Sequence, residues 1–237
     1  MIKFFRKIRQ NLLMENKTGK YFKYAIGEII LVVIGILIAL QINNWNETKK
    51  KTIETRNVLL EIKEDLIQDK NSLKISIDRH SKNLEAEIRV IKALESKEGF
   101  TDSLRSDFGR IHLAHSYHSV SKGYQLLKEM NLSASLDKNI RISLSKYYER
   151  DVPEVYNELE EDNKEFLTYW IPYLREHFKE WEFDEYAIPY DYNQLLEDKN
   201  LISALKIDCV NLRGTINALD IALQSATNLI EKLPSEN

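Results

Sequence analysis

The sequence predicts an all-α protein with one N-terminal transmembrane helix followed by an antiparallel helical bundle containing long coiled-coil-like helices. Three observations predict this class. Residues 21–45 form a long apolar run, long stretches lack helix breakers, and the C-terminal part repeats apolar residues every three or four positions. Only 7 glycines and 4 prolines occur in 237 residues, and so few breakers favour helices over turn-rich β-structure.

The apolar run is predicted to be a membrane anchor. Residues 22–42 would span about 31 Å as a helix, the thickness of a bilayer's hydrocarbon core. Tyr21 and Tyr24 at one end and Trp45 at the other suit the two membrane interfaces. A core helix of a soluble protein rarely has so long an apolar run. A cleaved signal peptide is disfavoured because the basic segment ahead is too long and Ala39-Leu40-Gln41 offers no cleavage site.

The basic residues around the anchor predict its orientation. Those ahead of it are Lys3, Arg6, Lys7, Arg9, Lys17, Lys20 and Lys23, and those following nearby are Lys49, Lys50, Lys51, Arg56 and Lys63. The N-terminal excess predicts a cytoplasmic N-terminus and an extracytoplasmic bulk. Residues 1–20 then form a basic amphipathic leader on the anionic leaflet, residues 21–45 the transmembrane helix, and residues 46–237 the extracytoplasmic domain. The leader lacks a nucleic-acid-binding module, so nucleic acid is not expected as a partner.

Three residues in the anchor are candidates for packing within the membrane. Gly35 and Ala39 are four apart, a spacing that lets a second helix approach closely, although small residues are also common in membrane helices in general. Glu28 lies about one turn inside the boundary, where an ionisable side chain is a functional candidate. The alternative is that Glu28 reaches the headgroups or pairs with Lys20 or Lys23.

The segments GEIILVVIGILIALQINNWNE and MIKFFRKIRQNLLMENKTGKY resemble the N-terminus of a bacterial family of unknown function. Two later segments, Gly123-Tyr124-Gln125-Leu126-Leu127 and Leu144-Ser145-Lys146-Tyr147-Tyr148, are also similar to that family. The resemblance implies a single-pass protein of the bacterial inner membrane with an α-helical periplasmic region. It implies no activity and assigns no catalytic residue.

The extracytoplasmic domain is predicted to begin with a long helix over about residues 52–96, ended by Glu98-Gly99-Phe100. One face repeats at spacings of three, four or seven. Its members are Leu59, Ile62, Leu66, Leu73, Ile77, His80, Leu84, Ile88, Ile91 and Leu94. His80 is expected to be a hydrogen-bonded polar residue on this face, or alternatively a pH- or ligand-sensing group.

Shorter helices with capping residues are expected next. They run from Thr101 or Asp102 to about His115, from Ser119 or Ser121 to Met130 with Asn131 as the left-handed stop, and from Asp137 to Arg150. Pro153 is predicted to lie in the first turn of the helix that follows, and Pro172 is predicted to kink that helix.

The last helix, from about Asn200 to Leu233, is expected to pair antiparallel with the first long helix. Its heptad seam is Ile202, Leu205, Cys209, Leu212, Ile216, Leu219, Leu223, Ala226, Ile230 and Leu233. Cys209 is interpreted as a small buried apolar residue. Before this helix, WEFDEYAIPYDY is predicted to be a loop. Its aromatic residues are partner-binding candidates, or alternatively they cap the core; they are Trp181, Phe183, Tyr186, Tyr190 and Tyr192.

The sequence contains only weak indications of catalysis or metal binding. His112 and His115 could share a helix face and one metal ion, with His118 beyond them, but solvated histidines are the simpler interpretation. No zinc, di-iron, phosphate-loop or Rossmann signature occurs, so no cofactor and no enzymatic activity is expected.

The sequence therefore predicts a membrane-anchored interaction or scaffold protein of the bacterial envelope. Its partners would be the bilayer and either itself or another envelope protein. The alternative is a ligand-sensing periplasmic bundle, and a third hypothesis, a metal-dependent enzyme, depends on the histidines alone.

Overall fold

The computed structural model describes residues 18–111 and 116–235, and most of them are helical, which confirms the all-α class. The helices are α1 Thr18–Glu95, α2 Asp102–Phe108, α3 Lys122–Glu129, α4 Lys138–Lys146, α5 Val152–Glu165, α6 Ile171–His177, α7 Tyr192–Glu197 and α8 Lys199–Lys232. A 3₁₀ helix spans Leu132–Ser135, and β1 Phe178–Glu182 and β2 Tyr186–Pro189 form a two-stranded sheet. Two compact units divide between Glu54 and Thr55.

The N-terminal unit contains a helix that is long and apolar enough to cross a membrane. The 18-residue window that meets this test has a mean hydropathy of 2.6, and none of it is buried. Large apolar side chains from Phe22 to Trp45 are exposed along α1. A continuous exposed apolar surface of this kind is stable in lipid rather than in water, which indicates membrane insertion.

In the second unit, α1 buries a seam whose spacing alternates between three and four. Its members are Ile62, Leu66, Asp69, Leu73, Ser76, His80, Asn83, Glu87, Val90 and Leu94. The predicted buried face is therefore correct at Leu59, Ile62, Leu66, Leu73, His80 and Leu94. It is wrong at Ile88, which is 44% exposed, and Ile77, Leu84 and Ile91 are only partly buried. The polar side chains of Asn83 and Glu87 take the inner positions instead.

Helix α8 runs antiparallel to α1, as predicted. Lys206 Nζ pairs with Glu95 at one end, and Lys63 Nζ donates to the carbonyl of Leu233 at 3.3 Å at the other. The fully buried seam of α8 is Leu201, Leu205, Asp208, Leu212, Thr215, Leu219, Ala222, Ala226, Leu229 and Leu233. The predicted seam is thus correct at Leu205, Leu212, Leu219, Ala226 and Leu233. At the other five positions the innermost residue is one position earlier than predicted, although Cys209 is buried as expected.

The core consists of two apolar clusters that a polar band separates along α1 and α8. On α1 the band lies between Leu73 of the first cluster and Val90 of the second, and on α8 between Leu205 and Ala218. The band comprises Ser76, His80, Asn83, Glu87, Asp208 and Thr215.

The buried polar groups of the band are held by short contacts. His80 Nδ1 lies 2.8 Å from the carbonyl oxygen of Ser76, and burial lowers the pKa of His80, so its ring is neutral at neutral pH. Cys209 Sγ donates to Glu87 at 3.6 Å, and burial raises the pKa of the thiol. His80 is thus the buried, hydrogen-bonded polar residue that the sequence predicts.

The chain stays helical through Pro153 and Pro172. Pro153 lies in the first turn of α5, as predicted, but no break separates α5 from α4. The backbone is helical from Lys138 to His177, with π-helical turns at Tyr147–Asp151 and Phe166–Trp170. Each π-turn ends two residues before a proline. Because proline has no N–H and crowds the preceding turn, the wider π-turn absorbs the disruption without ending the helix.

Several predicted helix ends are confirmed by their caps. Thr101 Oγ1 accepts from the N–H of Leu104 at 3.1 Å, Asp137 accepts from the N–H of Asn139 at 2.8 Å, and Asn131 is left-handed with φ 53°. Helix α2, however, ends at Phe108 rather than near His115.

Candidate functional site

The segment predicted as a loop is a β-hairpin. Strands β1 and β2 pair antiparallel, with Trp181 opposite Ala187 and Glu182 opposite Tyr186. Asp184 makes the turn with a left-handed φ of 68°, a conformation that aspartate tolerates better than most residues. Alternating aromatic and charged residues suit a strand with one packed face, which explains why this stretch is not irregular.

The hairpin packs tightly on the end of α2. A Cβ at Gly109 would lie 2.4 Å from the backbone nitrogen of Tyr186, so only glycine permits this approach. The carbonyl of Gly109 accepts the N–H of Asp184 at 2.9 Å. The Arg105 guanidinium lies 4.4 Å from the ring centroid of Tyr186, and Arg110 pairs with Asp184 at 3.5 Å. These contacts hold the hairpin in one position.

The five predicted partner-binding aromatics divide into two groups. Trp181 packs against the second apolar cluster, Tyr192 packs on Phe100 at 5.1 Å between ring centroids, and Tyr186 lies under Arg105. Phe183 and Tyr190 are instead 43% and 66% exposed, and the ring of Phe183 meets that of Phe166 edge-on with 5.8 Å between centroids. The same segment contains five exposed acids: Glu180, Glu182, Asp184, Glu185 and Asp191. We call Phe183, Tyr190 and these acids the hairpin surface.

A second cluster was not predicted and lies around two aspartates of α1. Asp69 is fully buried, and its carboxylate accepts hydrogen bonds from Ser119 Oγ at 2.7 Å, the N–H of Val120 at 2.7 Å and Tyr147 Oη at 2.8 Å. One turn earlier, Asp65 accepts the N–H of Gly123 at 2.8 Å, in the first turn of α3. Two carboxylates of α1 therefore hold the chain that enters α3.

Tyrosines complete this cluster, which we call the tyrosine junction. Tyr124 and Tyr148 stack with 4.4 Å between ring centroids, and Tyr147 meets Tyr148 edge-on at 4.8 Å. Gly123 lies so close to α1 that a Cβ there would be 2.8 Å from the backbone nitrogen of Ile62. The two segments that resemble the bacterial family, around Gly123 and around Tyr147, thus meet at Asp65 and Asp69.

Burial dominates the electrostatics of the tyrosine junction. It raises the pKa of Asp69, although hydrogen bonds from Ser119, Val120 and Tyr147 oppose the effect. It also raises the pKa of Tyr147 and Tyr148 well above the ordinary tyrosine value, so both phenols stay protonated, and Tyr147 Oη donates to Asp69. The junction is therefore suited to joining three parts of the chain through hydrogen bonds, and its tyrosines are not available as anionic nucleophiles at neutral pH.

At the rim of the junction, the carboxyl group of Glu149 has a lowered pKa. Hydrogen bonds from Ser145 Oγ at 2.6 Å, Lys128 Nζ at 2.9 Å and Tyr124 Oη at 2.8 Å lower the pKa of Glu149 to about 2. The folded pKa is below the ordinary value, so the stabilisation is present above about pH 4.5 and is lost as the pH falls towards 2.

Ser145→Ala should raise the pKa of Glu149, because the bond from Ser145 makes the largest contribution to its depression. A ¹³C NMR titration of the Glu149 carboxyl should show the midpoint moving up from about 2 towards the ordinary glutamate value. Ser133→Ala, on the 3₁₀ helix, is the control and should leave this midpoint unchanged. An unchanged midpoint in Ser145→Ala would show that the Ser145 bond does not form in solution.

The other predicted site residues are placed as follows. Glu28, Gly35 and Ala39 lie on α1 in the N-terminal unit, and a Cβ at Gly35 would meet no neighbour within 4 Å. His112 and His115 lie outside the described residues. Among the residues that are described, no three His, Cys, Asp or Glu side chains form a group that could hold a metal ion.

The sequence model of a family of unknown function, DUF6090, matches residues 28–166, more than half of the chain. The chain belongs to this family. The DUF6090 match begins at Glu28 in the apolar part of α1 and includes the whole tyrosine junction, whereas the hairpin and α8 lie beyond it. Comparison with curated proteins gives no significant match, and neither does comparison with solved structures.

The signal that could have revealed the junction in this DUF6090 chain is present in the sequence. Asp65 and Asp69 are four residues apart beside the apolar face of α1, where an acid needs a partner. The partner could not be identified, because Ser119 and Tyr147 are 50 and 78 residues away along the chain.

Proposed function

We propose that this DUF6090 protein is a non-enzymatic interaction module anchored in the bacterial inner membrane, with its bulk in the periplasm. The exposed apolar part of α1 supports the anchor. The excess of basic residues ahead of it supports a cytoplasmic N-terminus. Long helices joined by the tyrosine junction and the docked hairpin support a rigid scaffold.

The observation that carries this proposal is the hairpin surface. Phe183 and Tyr190 are exposed on a hairpin that Gly109 and Arg105 hold in place, so binding would require little ordering of the chain. Aromatic side chains are frequent at the centres of protein interfaces. The acids of the hairpin surface favour an envelope protein with a basic surface as the partner.

Phe183→Ala with Tyr190→Ala should abolish partner capture while the protein remains folded. Cross-linking in intact cells, followed by identification of the linked protein, should show one reproducible partner with the unaltered chain. The double variant should reduce that product about tenfold or more, since aromatic anchors at interfaces contribute about 2 kcal/mol or more each. Trp181 and Tyr186 are unsuitable for this test because they pack within the fold.

The matched control is Ile142→Ala with Ile221→Ala, which removes exposed apolar side chains from α4 and α8. This control should keep the cross-linked product and the melting temperature of the unaltered chain. Equal loss in both double variants would contradict a specific role for the hairpin. Links only between copies along α8 would indicate a homo-oligomer instead.

The ligand-sensing alternative is favoured by one specific observation, a surface groove whose wall includes Ser76. Ser76 also contacts His80 in the polar band. A ligand in the groove would therefore lie beside a buried polar group that connects to the core. Thermal stabilisation of the full chain by a small molecule would support this second function.

A further inference from the structure

The surface groove lies between α1 and the coil that leads to α3. Its volume is about 280 Å³, and its polar lining consists of Ser72, Ser76 and Arg79 from α1 with Ser116, Tyr117 and His118 from the coil. The α1 residues are at positions i, i+4 and i+7, so they lie on one face of the helix. The groove is remote from the hairpin surface in sequence, and a ligand could occupy it whether or not a partner binds the hairpin surface.

The wall formed by the coil is fixed by the tyrosine junction. Ser119 and Val120, immediately after His118, both donate hydrogen bonds to the buried Asp69 at 2.7 Å. The N–H of Ser119 also donates to Tyr156 Oη at 2.8 Å. The coil is therefore held against α1 at a defined distance, and these hydrogen bonds fix the shape of the groove.

The chemistry of the groove is that of a donor-rich, cationic site. None of its lining side chains is acidic. Arg79, Ser116 and His118 are exposed, and none of the three makes a hydrogen bond or an ion pair with another described residue. Many other cations of the described chain are paired, for example Lys82 with Asp78 at 2.6 Å on the next turn of α1.

We propose that this groove binds a phosphate monoester group. The guanidinium of Arg79 presents a planar fork that matches two phosphate oxygens, and His118 and the serine hydroxyls supply further donors around the same space. The volume accommodates a phosphate with a small substituent. Soluble phosphate monoesters carry this group and can reach the groove from solvent.

The test uses the full chain in nanodiscs. In the first arm the nanodiscs contain phosphatidylcholine alone, and calorimetry measures the binding of inorganic phosphate and of glycerol 3-phosphate. In the second arm glycerol replaces the two phosphates, and calorimetry measures whether it binds. Saturable binding in the first arm but not in the second supports a site for the phosphate group, and glycerol that binds as tightly as glycerol 3-phosphate would overturn it.

Arg79→Gln should weaken binding about tenfold or more, because a charge-assisted bond to phosphate contributes about 1.5–3 kcal/mol. His118→Gln should weaken it by a smaller factor. The matched control is Arg141→Gln, which removes an exposed arginine from α4 and should leave binding unchanged. Since Arg79 is exposed, its variant should keep the melting temperature of the unaltered chain without ligand.

Three outcomes would overturn the proposal. They are no saturable binding of either phosphate, equal weakening by Arg79→Gln and Arg141→Gln, and binding that Arg79→Gln and His118→Gln both leave intact. Equal weakening by the two arginine variants would show attraction to overall charge rather than to a site. Binding that survives both groove variants would place the phosphate elsewhere on the protein.

Discussion

Replacing Asp69 with alanine is expected to lower the free energy of unfolding by about 3–4 kcal/mol and the melting temperature by about 10 °C. The substitution would leave three donors without their acceptor: Ser119 Oγ, the N–H of Val120 and Tyr147 Oη. Tyr147 is fully buried, so water cannot replace the carboxylate there. Thermal unfolding followed by circular dichroism measures the loss.

The control for this prediction is Asp78→Ala on the same helix. Asp78 is exposed and pairs with Lys82 at 2.6 Å, so its removal should change the free energy of unfolding by less than about 0.5–1 kcal/mol. Asp69→Asn should fall between the two, since it keeps the shape but converts one acceptor into a donor. Equal effects of Asp69→Ala and Asp78→Ala would contradict the network around Asp69.

Gly109→Ala is expected to lower the free energy of unfolding by about 2–3 kcal/mol and to release the hairpin from α2. The added methyl would lie 2.4 Å from the nitrogen and 2.6 Å from the Cα of Tyr186. Because these are backbone atoms, a side-chain rotation cannot relieve the clash, and the hairpin itself must move. Thermal unfolding measures the destabilisation, and limited proteolysis within residues 183–185 measures the release.

Gly99→Ala is the matched control, because a Cβ at Gly99 would meet nothing within 4 Å. Its melting temperature and its cleavage pattern should be those of the unaltered chain. If the hairpin surface binds a partner, Gly109→Ala should also reduce cross-linking in cells. A Gly109 variant as stable as the Gly99 variant would mean that the hairpin does not pack on α2 as described.

The sequence predicts the helices well and the identity of their inner residues less well. Thr101 and Asp137 were identified as caps because a capping side chain acts on its own neighbours. The inner positions of α8 were placed one residue late in half of the heptads. The apolar Ile216 and Leu223 suggested that these residues face the core. The fully buried residues are instead Thr215, which is polar, and Ala222, which is small.

Features that depend on distant contacts could not be predicted. Thr215 tolerates burial because its hydroxyl donates to Asp162 at 2.7 Å, across 53 positions of the chain. The hairpin was predicted as a loop because its strands are short and its stability depends on docking against Gly109. The exposure of Phe183 and Tyr190, and not of Trp181, likewise follows from that docking. Local patterns contain none of this information.

The polar band has a consequence for cooperativity. Each apolar cluster is contiguous within itself, and between the two clusters α1 and α8 bury fewer apolar side chains, namely Ala86, Cys209 and Leu212. Hydrophobic stabilisation is therefore weaker at the band than in either cluster, and local opening can stop there. The half that contains the hairpin can open and close while the half that contains the tyrosine junction stays folded.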